Sequence, residues 1–226
     1  MISSKQNKEE RHHKKFAWKM ENSEQHLFGG AITIDLPKQD WLDVSDMRPV
    51  PDNQECFQCR SSGANPTMLV IEILERQEQV DDQEAAAFFF KDLAGINDAL
   101  QAQSDIRFHT LQEHASPIAL LDDNSIKAEK NTVRLCAGYG IQKVALGRDF
   151  DNAGNSRRTK QEIKFIRVDL YVLRLPVQET DLLLTLSTPL DITNLDDEPL
   201  ESTQAARAVL NRVVSTIRIR DWGLFG

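Results

Sequence analysis

Six carboxylates sit in two short stretches of the chain. Asp43, Asp46, Asp52 and Glu55 crowd into one segment, and Glu72 and Glu75 end an otherwise apolar run. Carboxylates do three kinds of work: they move protons, they ligate metals, or they face a cationic partner. The first two need company that this sequence does not supply. No phosphate-cradling P-loop, no G-x-G-x-x-G opening a helix, no H-E-x-x-H and no G-x-S-x-G occurs; Gly138-Tyr139-Gly140 lacks a third glycine and lies inside a strand pattern. His109 and His114 stand five apart beside Glu113 with no further ligand nearby, so they read as surface or satisfied histidines. Cys56-Phe57-Gln58-Cys59 has C-x-x-C spacing but no second pair, and Cys136 stands alone. Three thiols in a chain with no secretory signal read as reduced cysteines. No catalytic residue, cofactor site or metal site is assigned.

The third use remains. The acidic segment contains Pro49 and Pro51, which fix φ and keep it out of a ladder. Read from residues alone, it is either a solvated polar loop or a stiff acidic binding surface. Charge bears on the partner: the formal net charge is −8, and the first 25 residues carry six Lys or Arg against four acids, leaving about −10 on the rest. An acidic body disfavours nucleic acid and favours a basic partner.

The elements that must position these residues follow from periodicity. Gly29-Gly30 reads as a bulge or close backbone approach at the entry to a strand, because no helix follows to make it a phosphate loop; Ala31–Leu36 then alternates with period two. Strands are expected over Cys56–Arg60, Thr67–Leu74, Thr132–Leu146, Gln161–Leu175 and Thr180–Ser187, with weaker alternation from Ile106 to Glu113. Gly147–Thr159 has the composition of a hairpin loop. A helix capped near Asp81 should run from Ala85 until Gly95 stops it, burying Ala86, Phe89, Phe90 and Leu93. A second helix follows from Ala206, Val209, Leu210, Val213, Val214 and Ile217 at helical spacing. Trp41 and Trp222 are expected to pack, and Arg48 to brace the acidic loop. The order predicts an α+β fold: a mainly antiparallel sheet of about six or seven strands covered by helices.

At 226 residues and 40% apolar content the chain suits one domain, over 27–226, preceded by a charged extension over 1–26 whose apolar island is too small to repay ordering. Within it, Arg11-His12-His13-Lys14-Lys15 is either a solvated stretch or a weak nuclear-targeting or acidic-surface-binding patch. The absence of a long apolar run or signal segment predicts no membrane insertion and a cytosolic or nuclear protein.

LFGGAI followed by DVSDMRPVPDNQE closely resembles the Ran guanine-nucleotide release factors, the Mog family of small Ran-binding proteins. The likeness continues in Leu69–Glu75, in Leu173-Arg174-Leu175-Pro176 with Thr180–Thr185, and in Leu224-Phe225-Gly226. It implies a PsbP-like α/β/α sandwich. It also implies a monomeric protein of nucleus and cytoplasm that binds the Ran GTPase, promotes guanine-nucleotide release and supports nucleocytoplasmic transport. In that family the acidic residues of these motifs form the Ran-binding surface, here Asp43, Asp52 and Glu55 in the loop, with Asp46 in the same segment, and Glu72 and Glu75 in the strand. The other reading is an adaptor that holds Ran or another basic partner without altering nucleotide affinity.

Overall fold

The computed structural model describes residues 23–47, 50–61, 66–97, 99, 106–111, 133–150, 156–192 and 200–226. Seven antiparallel strands form the main sheet: β3 (Trp41–Asp43), β4 (Gln54–Cys59), β5 (Met68–Glu75), β9 (Thr180–Leu190), β8 (Ser156–Leu175), β7 (Arg134–Phe150) and β6 (Ile106–Leu111), in that spatial order. A second sheet of three strands has the order β1 (Glu24–Leu27), β2 (Ile32–Asp35), β10 (Arg218–Ile219). Among the described residues the α-helices are α1 (Ala85–Ile96) and α2 (Leu200–Thr216).

Side-chain parity explains the layers, because successive residues of a strand face opposite sides. Val168, Leu170 and Val172 of β8 meet Ala85, Ala86, Phe89 and Phe90 of α1, together with Cys136 and Leu183. Tyr171, Leu173 and Leu175 of the same strand, with Phe57, Leu69, Ile71, Leu182, Leu184 and Leu186, face Leu210, Val213 and Val214 of α2. Ile32, Ile34 and Ile219 of the small sheet join that second cluster. The molecule is therefore an α/β/α sandwich, with α1 on one face of the large sheet and α2 plus the small sheet on the other. The near-continuous apolar runs of β8 and β9 reflect coverage on both faces.

Several boundaries differ from expectation. Residues 24–26, assigned to the extension on composition, pair with β2 through Glu24↔Asp35, Gln25↔Ile34 and His26↔Thr33; the Gln25 amide also donates to the Leu36 carbonyl at 3.1 Å. Gly147 does not begin a loop, since pairing resumes past a register shift at Arg148↔Arg158 and runs to Phe150↔Ser156. Gly95 does not stop α1, which continues to Ile96 before Asn97 turns its amide to the Gln142 Oε1 at 3.0 Å. Nor does Asp81 cap that helix. Glu84 occupies the N-cap without a side-chain hydrogen bond, and the Ala86 N–H donates instead to the Cys136 sulfur at 3.4 Å. Gly138 and Gly140 are places of contact: a Cβ at Gly138 would collide with the Phe108 ring, and one at Gly140 with the Arg107 carbonyl and the Phe90 ring.

Two ion pairs lie inside the sheet. The Arg174 Nε donates to Asp181 Oδ1 at 3.0 Å, both side chains fully buried, and its other nitrogens donate to the carbonyls of Val80 and Gln77 at 2.6 Å and to Asp82 Oδ1 at 2.9 Å. That one guanidinium ties the link between β5 and α1 to the sheet. The Arg167 guanidinium forms a two-point pair with Asp169 at 2.7 and 2.8 Å and stacks over the Tyr139 ring.

Candidate functional site

The acidic segment hangs from the edge of the large sheet. After β3 the chain makes an Asx turn in which the Ser45 N–H donates to Asp43 Oδ1 at 3.0 Å. It then forms the 3₁₀ turn Ser45–Met47, which contains Asp46. That turn is fastened to β4: the Cys56 N–H donates to Ser45 Oγ at 2.9 Å and the Val44 N–H to the Cys56 carbonyl at 2.9 Å, with Val44 buried. Further on, the Ile73 N–H donates to the Asn53 carbonyl and the Asn53 amide to the Ile73 carbonyl, so Asn53 extends the pairing beyond β4. A loop held at both ends in this way loses little entropy when it meets a partner. Arg48, expected as its brace, lies outside the described residues.

On the helix-α2 side of the sheet the loop borders an open groove of about 620 Å³. Phe28 and Gly29 form one wall, Ser45 and Val50 to Glu55 another, with Ile73 and Leu224 completing it. The LFGG turn, the acidic loop, strand β5 and the C-terminal Trp222–Phe225 turn thus meet around one concavity. These segments are far apart in sequence.

Glu55 links two of the walls. Its Oε1 accepts the Phe28 N–H at 2.6 Å, a charge-assisted bond across 27 residues. Phe28 has φ 51, Gly29 φ 67 and Gly30 φ 95, so the turn runs through three left-handed residues in succession. Glycine tolerates that region and a bulky aromatic residue does not, which makes Phe28 a position the surroundings must hold.

The six candidate carboxylates do not share one face. Asp43 stands opposite Phe57 and Glu55 opposite Ile71, so both are on the groove side, as is Glu75 two residues after Ile73. Asp52 lines the groove and, like Asp43 and Glu75, is exposed. Glu72 has the other parity: in register with Gln54 and Leu183, it faces the helix-α1 side and accepts the Gln54 amide at 2.5 Å. The expected strand pair Glu72 and Glu75 is therefore split by its three-residue spacing. The apolar walls, Phe28, Ile73 and Leu224, were not assigned to the site from sequence; their only signal was membership in the recurring motifs.

Elsewhere, the two tryptophans expected to pack do so. Trp41 is buried in the core, and Trp222 packs against it. Cys56 and Cys59 face opposite sides of β4, and no disulfide joins any of the three cysteines. His109 is exposed and stacks near Tyr139, whereas His114 lies outside the described residues. Burial pushes the Cys136 thiol above its ordinary value, partly offset by the Ala86 N–H it accepts. Among the described residues no group of three or more His, Cys, Asp or Glu could hold a metal, and no helix is long and apolar enough to cross a membrane.

Comparison with known proteins gives this geometry a setting. The family described as Ran-interacting Mog1 protein matches residues 25–189. The Ran guanine nucleotide release factor of Bos taurus is 31% identical over 207 residues, covering 88% of this chain and 95% of that protein. Nuclear import protein mog1 of Schizosaccharomyces pombe is 28% identical over 207 residues, covering 88% and 98%. Among solved structures, the Ran-binding protein Mog1p of Saccharomyces cerevisiae superposes with a TM-score of 0.57 at 22% identity, over 92% of this chain and all of that one, a likeness of fold. With a family match over most of its length and a relative of this identity, the chain belongs to the Mog1 family of Ran-interacting proteins.

Proposed function

We propose that this protein binds the GTPase Ran through the acid-rimmed groove and promotes release of its guanine nucleotide, in support of transport between nucleus and cytoplasm. The observation that carries this reading is the convergence of Phe28, Asp52, Glu55, Ile73 and Leu224 on one open groove. These residues come from separate segments that each resemble the family. The groove offers apolar walls with carboxylates at the rim, which suits a basic protein surface better than a small ligand enclosed on all sides.

The chemistry required is binding alone. A protein that favours the nucleotide-free state of a GTPase weakens the nucleotide by the factor by which it prefers the empty form. Asp43, Asp52 and Glu75 are exposed and supply charge for encounter; Glu55, half-buried and hydrogen-bonded, supplies register. The acidic body steers a cationic face, so association slows as salt rises. The names of the relatives, release factors and nuclear import proteins, support the reading.

The test is release of a fluorescent guanine nucleotide from loaded Ran on addition of stoichiometric protein. Accelerated release that Asp52→Lys weakens supports the reading. Release at the spontaneous rate, with Ran bound, removes the exchange activity.

A further inference from the structure

Beside the acidic loop stands an exposed apolar side chain. Met47 is 68% exposed, and the other large apolar residues exposed among those described, Phe88, Ile96 and Val177, lie on α1 and on the turn between β8 and β9 and do not line the groove. A lone surface apolar group ordinarily needs no explanation. Met47 differs in how it is presented. Its N–H donates to the Val44 carbonyl at 3.0 Å, Val44 is buried, and Ser45 before it is fixed by Asp43 on one side and Cys56 on the other. The backbone beneath an exposed thioether is thus tied by hydrogen bonds to the sheet edge, close to a residue, Ser45, that lines the groove.

Interfaces place apolar anchors inside a ring of polar residues, and methionine is enriched there because its flexible, polarizable side chain adapts to an irregular recess. Exposed Asp43 lies on one side of Met47 in the chain and exposed Asp52 on the other. We infer that Met47 is the apolar anchor of the partner interface, seated in an apolar recess ringed by lysine or arginine on the partner. This rests on the reading of the groove face as the Ran-binding surface. Carboxylates set the rate and register of approach, and desolvation of Met47 slows departure.

Binding of the full chain to Ran, followed kinetically across a range of salt, tests this with Met47→Gln, Met47→Leu and Asp52→Lys. Met47→Gln should weaken binding by about tenfold or more, chiefly through faster dissociation and with the salt dependence of association unchanged. Met47→Leu, which conserves volume and polarity, should stay within about threefold of the unsubstituted protein. Asp52→Lys should instead slow association and flatten its salt dependence. Met47→Gln binding like the unsubstituted protein, while Asp52→Lys is weakened, overturns the anchor and leaves the Ran-binding face standing. Failure of the unsubstituted protein to bind Ran overturns both.

Discussion

The Glu55 carboxylate accepts the Phe28 N–H at 2.6 Å and so holds an aromatic residue at φ 51. One side chain thus serves both the fold and the proposed interface. Its neighbour Asp52, exposed on the same loop, has no such second task. Their substitutions should separate. Asp52→Lys should leave urea unfolding unchanged, as an exposed site away from special features does. Glu55→Ala removes a charge-assisted hydrogen bond and should cost about 1.5–3 kcal/mol, with the strain at Phe28 adding to it. Equal stability of the two variants would show that the Phe28 turn holds itself.

The glycines of β7 should resist the smallest change available. At Gly140 a methyl group meets the Arg107 backbone carbonyl as well as the Phe90 ring, and the backbone cannot step aside. Gly140→Ala should destabilise by about 1–3 kcal/mol or more through overpacking, although alanine is otherwise the better strand residue. A neutral or stabilising result in denaturant unfolding would mean that β6 and α1 can shift away from β7 at no cost.

Asp181 anchors a guanidinium that is itself fully buried. Asp181→Ala leaves Arg174 only the part-exposed Asp82 carboxylate and should cost about 3 kcal/mol, the lower end of the scale for breaking a buried pair from one side. Since Arg174 also holds the carbonyls of Gln77 and Val80, amide exchange should rise first in residues 76–84. Uniform loss of protection across the sheet would contradict that local order.

Cys136 links stability to alkaline pH. Burial raises its thiol above the ordinary value of 9.0, opposed by the Ala86 N–H. Below that value both folded and unfolded states hold the proton and pH has no effect through this group. As pH rises through it the unfolded chain releases the proton first, so stability falls until the folded thiol ionises too. Unfolding at pH 7 and pH 10 should therefore show a larger alkaline loss for the natural protein than for Cys136→Ala. Identical losses would show the thiol to be inert.

The layers were legible because periodicity reports which face is buried. Ala86, Phe89 and Phe90 were placed correctly on α1, as were Leu210, Val213 and Val214 on α2. The start of α1 at Ala85 was legible but its cap was not, for a physical reason: Asp82 is taken up by Arg174 and Arg76, and the Cys136 sulfur of β7 serves the first turn. No local signal records a partner 50 residues away. The candidate site was legible in part. Asp52 and Glu55 stood out by charge and spacing, but the groove's apolar walls come from segments whose meeting is a tertiary fact. Glu72 was grouped with Glu75 by proximity in sequence, whereas strand parity places it on the opposite side of the sheet.

If binding energy expels nucleotide, it must show in the affinities of the full chain for nucleotide-free and for nucleotide-loaded Ran, measured under the same salt. Linkage requires tighter binding to empty Ran, by the same factor by which this protein weakens the nucleotide. That preference is expected, together with displacement of the protein when nucleotide is added back. Equal affinities would leave no free energy for release, and the protein would then be an adaptor that holds Ran without emptying it.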